Sequence, residues 1–452
     1  MNTSFFGELL QSISDRGRAL LDRSRRGDVA ARSDGLIELC EDLLSGRGEA
    51  SGVARARDIL SRYAELTIGP RIAFFEALVS RFGVQPERVS EAIAAWQANP
   101  NDDTAARLHV ASEPRRQELF RRLNLAPGGT AALVRMREQL MDALPNRPDL
   151  QPVNEDFVHL FTSWFNRGFL VLRHIDWSTP ANILEKIIRY EAVHEISDWD
   201  DLRRRIDPRD RRCYAFFHPA MVDDPLIFVE VALTRDIPEA IAPILAPERE
   251  PVEPDKARTA VFYSISNCQR GLAGVSFGNF LIKQVVEEVC RELPKLTTLV
   301  TLSPAPTFAK WLKRERGQET SPAINEADKQ ALAALDEPNW WLDAEKVAQM
   351  REPMLRAAAY YYLRAKTPRG LPIDPVARFH LGNGARLERL DWLADASDKG
   401  IAQSYGLMVN YLYNLEHIEK NHEAFAEQRT VVAASSVQRN VRPSLELVPI
   451  AG

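Results

Sequence analysis

Gly274-Val275-Ser276-Phe277-Gly278, inside the stretch QRGLAGVSFGNFLIK (269–283), admits two chemistries. As G-x-S-x-G it is a nucleophile elbow, whose strained turn at a strand end lifts a serine hydroxyl above a sheet. As a glycine-bearing loop before an apolar helix it is a phosphate cradle. Small residues there let the backbone approach oxygens, and free N–H groups at a helix start favour negative charge. Position argues for the cradle: the apolar run TAVFYSIS ends at Ser266, roughly ten residues before Ser276, and no HGGG-like oxyanion loop occurs. The spacing is neither that of a G-K-[ST] phosphate loop nor G-x-G-x-x-G, and a tight turn with Ser276 capping the helix is the plain structural alternative. Two further candidates stand alone in the chain. Ser303, before Pro304 and the helical TFAKWLKRE, has the place of a turn or cap residue; His380, between Phe379 and Leu381, has that of a hydrogen-bonded strand histidine.

The elements that would carry these residues follow from periodicity. Strand TAVFYSIS (259–266), the loop, helix FGNFLIKQVVEEVCREL and strand LTTLVTLS, ending at Ser303, form one unit. RCYAFF, PLIFVEVAL and NILEKIIRYEAV extend the same mixed α/β character. Before them the chain is rich in Ala, Leu, Arg and Glu with helical spacing, as in FFGELLQSI, DGLIELCEDLL, RIAFFEALVSRF and TAALVRMREQLMDAL. Gly69-Pro70, Asn99-Pro100 and Pro127-Gly128-Gly129 punctuate these helices. PNRPDLQPVNED (145–156) carries three prolines and no apolar period, so it is the expected linker. The expectation is an α+β multidomain chain: an all-helical domain over 1–152, a packing or oligomerisation module, then a mixed α/β domain over 153–452.

Composition narrows the function classes. With 452 residues, 45% hydrophobic and 27% charged, the chain is long enough for two domains. A net charge of -5 argues against a protein whose main business is nucleic acid. Four cysteines without metal-type or disulfide-type spacing point to a reducing compartment. The start lacks a basic segment before its first acid and no run of about eighteen apolar residues occurs, so a cytoplasmic protein without a membrane span is expected. His417 and His422 have the wrong spacing for adjacent ligands on one helical face, and no H-E-x-x-H is present, so no metal is expected. The basic runs RRRIDPRDRR (203–212) and KWLKRERG (310–317) are either solvated faces or contacts to a phosphate.

The Q-x-x-G-x-small loop with FLIK behind it resembles the pyrophosphate-binding element of GNAT-type acyltransferases, although Gly271 stands where that family usually has Gln or Arg. A longer resemblance covers most of 156–413 in order. FYSISNCQRGLAGVSFGNFLIK followed by LVTLSPAPTFAKWL, WFNRGFLVLRHIDWSTPANILEKIIRYEAVH (164–194) and ARFHLGNGARLERLDWLADASDKGIAQSYGLMVNYLY (377–413) are similar to the malonyl-CoA decarboxylase family. That resemblance implies a helical domain joined to a GNAT-like catalytic domain that releases CO2 from malonyl-CoA to leave acetyl-CoA, and assembly into a homo-oligomer, dimer or tetramer. By motif match it implies Ser303 of LSPAP and His380 of FHLGNG as the catalytic pair, with Tyr413 of NYLY near the reacting end. The substrate loop would comprise Gly271, Ala273, Gly274, Val275, Ser276, Phe277, Gly278 and Asn279. Ser276 departs from the animal members, which carry an acid there.

Such chemistry asks little of the protein beyond placement. Loss of CO2 leaves an electron pair that the thioester carbonyl accepts as an enolate, so no cofactor is expected; coenzyme A is part of the substrate. The carboxylate must be aligned, the oxyanion met by donors, and a proton given to the α-carbon. Histidine suits the last task and a serine hydroxyl the first. The alternatives are a coenzyme-A-dependent acyltransferase of the same fold, a coenzyme-A thioester sensor, and attack by Ser303 to form a malonyl-enzyme.

Overall fold

The computed structural model describes residues 34–46, 48–275 and 281–441. Among them the chain forms two compact units, one of residues 34–171, 217–226 and 269–275, the other of 172–216, 227–268 and 281–441.

The first unit is built on helices: α1 (Asp34–Ser45), α2 (Glu49–Ala64), α3 (Ile68–Ser80), α4 (Pro86–Ala98), α5 (Asp102–Ser112), α6 (Arg115–Asn124), α7 (Gly129–Ala143) and α8 (Gln151–Trp164). Gly69-Pro70 lies in the first turn of α3, where a missing amide hydrogen leaves no helical bond unmade. Pro127-Gly128-Gly129 does separate two helices, with Gly128 at φ 72° before α7. FFGELLQSI lies outside the described residues. Pro145–Asp156, expected as a linker, is ordered instead. A 3-10 turn over Pro148–Leu150 leads into α8, which tolerates Pro152 near its start because the first helical amides have no intrahelical acceptor. Phe120 and Phe157 stack at 4.2 Å, and the buried Asp156 pairs with Arg116 and accepts from Gln117 Nε2 at 2.5 Å. These contacts place α8 within the helical core.

The second unit is a mixed sheet with helices. The strands of this sheet, with residues 171, 217–218 and 221–226 counted in the first unit, are β1 (Val171–Ile175), β2 (Arg211–His218), β3 (Met221–Thr234), β4 (Thr259–Asn267), β5 (Thr298–Thr301), β6 (Ser303–Pro304), β7 (Arg386–Asp391) and β8 (Met408–Leu412). They run in the order β1-β2-β3-β4-β5-β8-β6, with β7 also on β8. β4 pairs antiparallel with β3 and parallel with β5. It is buried along nearly its whole length, which explains its almost unbroken apolar and β-branched sequence. The strand–loop–helix–strand unit expected from the sequence is therefore present, its helix being Leu281–Glu292. That helix buries Leu281, Ile282, Val285, Val286 and Val289, one stripe at helical spacing. The architecture is a helical N-terminal part followed by a mixed α/β part.

Candidate active site

β4 and β5 stay paired only as far as Phe262 and Thr301. One more bond, from Leu302 N–H to the Phe262 carbonyl at 3.1 Å, closes the ladder. Beyond it β4 continues to Asn267, whereas the segment that follows β5 joins β8 as β6, with Ser303 opposite Val409. The two parallel strands part, and a cavity of about 240 Å³ opens between them. Phe262, Tyr263, Ile265 and Asn267 line one side and Ser303 and Pro304 the other. Pro375, Val376, Phe379, His380 and Val193 complete the wall.

His380 reaches this wall from a helix, Pro375–Gly382, and not from a strand. Asp374 caps that helix by accepting the Ala377 N–H at 2.8 Å, and Pro375 takes the first helical position with its φ already suited to it. The turn after the helix needs Gly384, at φ 81°, where a Cβ would lie 2.1 Å from the Ile418 carbonyl oxygen. Both ends of the helix are thus fixed by local chemistry.

The structure brings Ser303, His380 and Tyr413 into one hydrogen-bonded line. Ser303 Oγ lies 3.1 Å from His380 Nε2, and Tyr413 Oη lies 2.8 Å from Nδ1. The three side chains are 5%, 2% and 1% exposed, so their polar atoms depend on one another for partners. Burial alone pulls the imidazole down to about 3, which leaves the ring neutral at physiological pH, and burial pushes the Tyr413 phenol well above its usual value. The ring of Tyr411 stacks on His380 at 4.6 Å, and one stretch of chain supplies both tyrosines, Tyr411 from within β8 and Tyr413 just after its end.

Residues not singled out in the sequence complete the surroundings. Thr301, two residues before Ser303 and on the same side of the strand, accepts the Ser303 hydroxyl at 2.9 Å and the Tyr411 N–H at 3.1 Å. Val193 is held at the wall by Glu191, whose carboxylate accepts the N–H groups of Val193 and His194 at 2.7 Å each and the Ser264 hydroxyl at 2.8 Å. Lys399 Nζ donates to the Val193 carbonyl from the other side at 3.0 Å. The i, i+2 relation of Thr301 to Ser303 and the Asp374-Pro375 cap are signals the sequence does carry; the Glu191 and Lys399 contacts have none.

Of the expected substrate loop, Gly271, Ala273, Gly274 and Val275 belong to the first unit, and Ser276, Phe277, Gly278 and Asn279 lie outside the described residues. Gly271 is required by packing, since a Cβ there would sit 2.0 Å from the Val134 carbonyl oxygen of α7. Arg137 of α7 donates to the carbonyls of Gly271 and Ala273 at 2.7 and 2.8 Å. The N–H groups of Leu272, Ala273 and Val275 are taken by the carbonyls of Gln269, Arg270 and Leu272. Gly274, at φ 78°, has open space around it.

The arginines of the two basic runs already have partners. Arg203, Arg204 and Arg205 pair with Asp207, Asp201 and Asp201, Arg209 with Glu253, and Arg212 with Glu292. Arg211 donates to the Ile244 carbonyl, and Arg314 and Arg316 pair with Glu315 and Asp336. Among the described residues no group of three His, Cys, Asp or Glu is placed to hold a metal ion, and no helix is long and apolar enough to cross a membrane.

Comparison with known proteins gives these features a family. Residues 82–165 match the model of the malonyl-CoA decarboxylase N-terminal domain, and residues 168–449 that of the C-terminal domain. The chain is 34% identical to malonyl-CoA decarboxylase, mitochondrial, of Anser anser anser, over 94% of this chain and 89% of that protein. It is 35% identical to the Rattus norvegicus protein of the same description, over 88% of this chain and 84% of that one. The crystal structure of malonyl-CoA decarboxylase from Rhodopseudomonas palustris superimposes with a TM-score of 0.88 at 60% identity, covering 91% of this chain and all 100% of that one. That from Agrobacterium vitis gives 0.87 at 54% identity, covering 90% and 100%. The chain therefore belongs to the malonyl-CoA decarboxylase family and is a decarboxylase, a carbon–carbon lyase.

Proposed function

We propose that this enzyme converts malonyl-CoA to acetyl-CoA and CO2, with Ser303 orienting the malonyl carboxylate and His380 giving the proton to the α-carbon. The observation that carries this reading is the hydrogen-bonded line of Ser303, His380 and Tyr413 at the wall of the cavity between β4 and β6. As the carbon–carbon bond breaks, its electron pair passes into the thioester carbonyl and CO2 departs. The enolate then takes a proton at carbon. Overall one proton is consumed, and water replaces it. Burial disfavours the charged ring and keeps the imidazole neutral; a substrate carboxylate brought beside it acts in the opposite sense and favours proton uptake. Ser303 adds a hydrogen-bond donor without adding a charge. The chemistry needs no electron sink beyond the thioester, so activity without added metal or cofactor is part of the proposal, as are a cytoplasmic location and homo-oligomeric assembly through the helical part.

The test is purified protein with malonyl-CoA and no amine acceptor, followed by measurement of CO2 and acetyl-CoA. Equal amounts of the two products are expected. An enzyme that yields CO2 only when an acyl acceptor is supplied would be an acyltransferase instead. His380→Asn should lower kcat by roughly a hundredfold or more while coenzyme A binding is retained. Rapid quench and mass spectrometry of Ser303 address the covalent route: an acylated serine that forms as fast as turnover would replace the proton-transfer scheme.

A further inference from the structure

Thr301 is fully buried, and its hydroxyl oxygen faces two donors. The Tyr411 backbone N–H points to it at 3.1 Å and the Ser303 hydroxyl at 2.9 Å. With its proton turned toward Thr301, Ser303 presents only lone pairs to His380 Nε2 at 3.1 Å, so Nε2 is the donor of that bond. The opposite end of the ring leads to the same result by a separate route. Tyr413 Oη is buried, and among the described residues its hydrogen-bond partner is His380 Nδ1 at 2.8 Å. A buried phenol hydrogen needs an acceptor. If Nδ1 accepts it, the ring proton sits on Nε2.

We propose that Thr301 is a positioning residue for the decarboxylation: by accepting the Ser303 hydroxyl it fixes His380 as the Nε2–H tautomer. The inference rests on the reading of Ser303 and His380 given above. It assigns a direction to the proton. Nε2 faces Ser303, which lines the cavity, whereas Nδ1 faces Tyr413, which does not. When Nε2–H passes its proton to the enolate carbon, Nδ1 takes the Tyr413 proton; a proton from water at Nε2, on the cavity side, and return of the Nδ1 proton to the phenolate then restore the starting tautomer. The same arrangement denies Ser303 a base, because the imidazole nitrogen next to it already carries hydrogen. Attack of Ser303 on the thioester would require the other tautomer.

The tautomer is read by nitrogen NMR of ligand-free protein carrying 15N-labelled histidine, with His380→Gln to identify the signals. The expected result is a protonated Nε2 and an accepting Nδ1. In Thr301→Val the Ser303 hydroxyl loses its acceptor and competes with the Tyr413 phenol to donate to His380, so the Nδ1–H form should gain population, kcat should fall about tenfold or more, and KM should stay within about twofold. Thr301→Ser should restore both the tautomer and the rate. A wild-type ring protonated on Nδ1 would overturn the assignment, and so would a Thr301→Val protein that keeps the wild-type tautomer. Should the valine variant fail to fold, the wild-type spectrum decides. A wild-type protein with the expected tautomer that releases no CO2 from malonyl-CoA supports the hydrogen-bond assignment and overturns the reaction it was meant to serve.

Discussion

Among the residues of the cavity wall, His380 is displaced from its ordinary titration by its surroundings. No opposite charge among the described residues supports its ring, and burial alone moves its titration from 6.5 to about 3. The sign of the consequence is fixed by linkage. Between pH 6.5 and 3 the unfolded chain binds a proton at this residue and the folded chain does not, so the contribution of the neutral ring is present above pH 6.5 and is lost as pH falls toward 3. His380→Asn, which cannot titrate, should lose less stability than wild type between pH 6.5 and 4, by up to roughly 3 kcal/mol. Urea midpoints at the two pH values measure it; parallel losses would mean that the ring titrates normally. Ligands add a second check. Malonyl-CoA should raise the imidazole titration, whereas acetyl-CoA, lacking the carboxylate, should leave it low, as followed by NMR of a slowly turning-over variant such as Ser303→Ala.

How the helix that carries His380 is held belongs to the scale of elements. Asp374 is buried, caps the helix through the Ala377 N–H and also accepts from Tyr361 Oη at 3.3 Å. Asp374→Ala should cost about 1–2 kcal/mol from the lost cap and lower kcat, whereas Asp374→Asn, still a good cap, should recover most of the stability. Thermal unfolding and turnover of the two variants separate these effects; equal damage in both would mean that the carboxylate charge matters more than the cap. This helix also shows what the sequence made legible. Asp374-Pro375 and the later glycines are start and stop signals, yet the alternation Arg378-Phe379-His380-Leu381 reads as a strand when taken alone, because four residues do not distinguish a period of two from one of 3.6. β4 and the Leu281–Glu292 helix were legible because each is a long run with one burial pattern, and the four-residue β5 because it lies inside the β-branched run LTTLVTLS. The meeting of Ser303 with His380 was not, since 77 residues separate them and no periodicity links them; only the family resemblance put them together. Thr301 could have been suspected from its i, i+2 position, but nothing in the chain indicates which hydroxyl accepts.

Taken as a whole molecule, the enzyme also carries a buried acid that pulls its pH response the other way. Glu230 is completely buried on β3, and burial, helped by the neighbouring Glu191 and opposed by Arg205, pushes its carboxyl up to about 8. A raised carboxyl favours the folded state fully below its unfolded value near 4.5 and loses that contribution as pH rises through 8. Glu230→Gln should therefore flatten the loss of stability between pH 5 and 8, by a few kcal/mol relative to wild type, and a variant that declines as steeply as wild type would show that Glu230 stays charged.

The chain's path through its two units has a further consequence. Residues 269–275 return to the helical unit, where Gly271 presses on the Val134 carbonyl and Arg137 grips two loop carbonyls. A gene truncated after residue 171, or begun there, would encode a fragment whose glycine turn has been parted from its clamp. Neither product should be a working half, and only co-expression, letting the pieces find each other before either aggregates, offers them a route back to a complete enzyme.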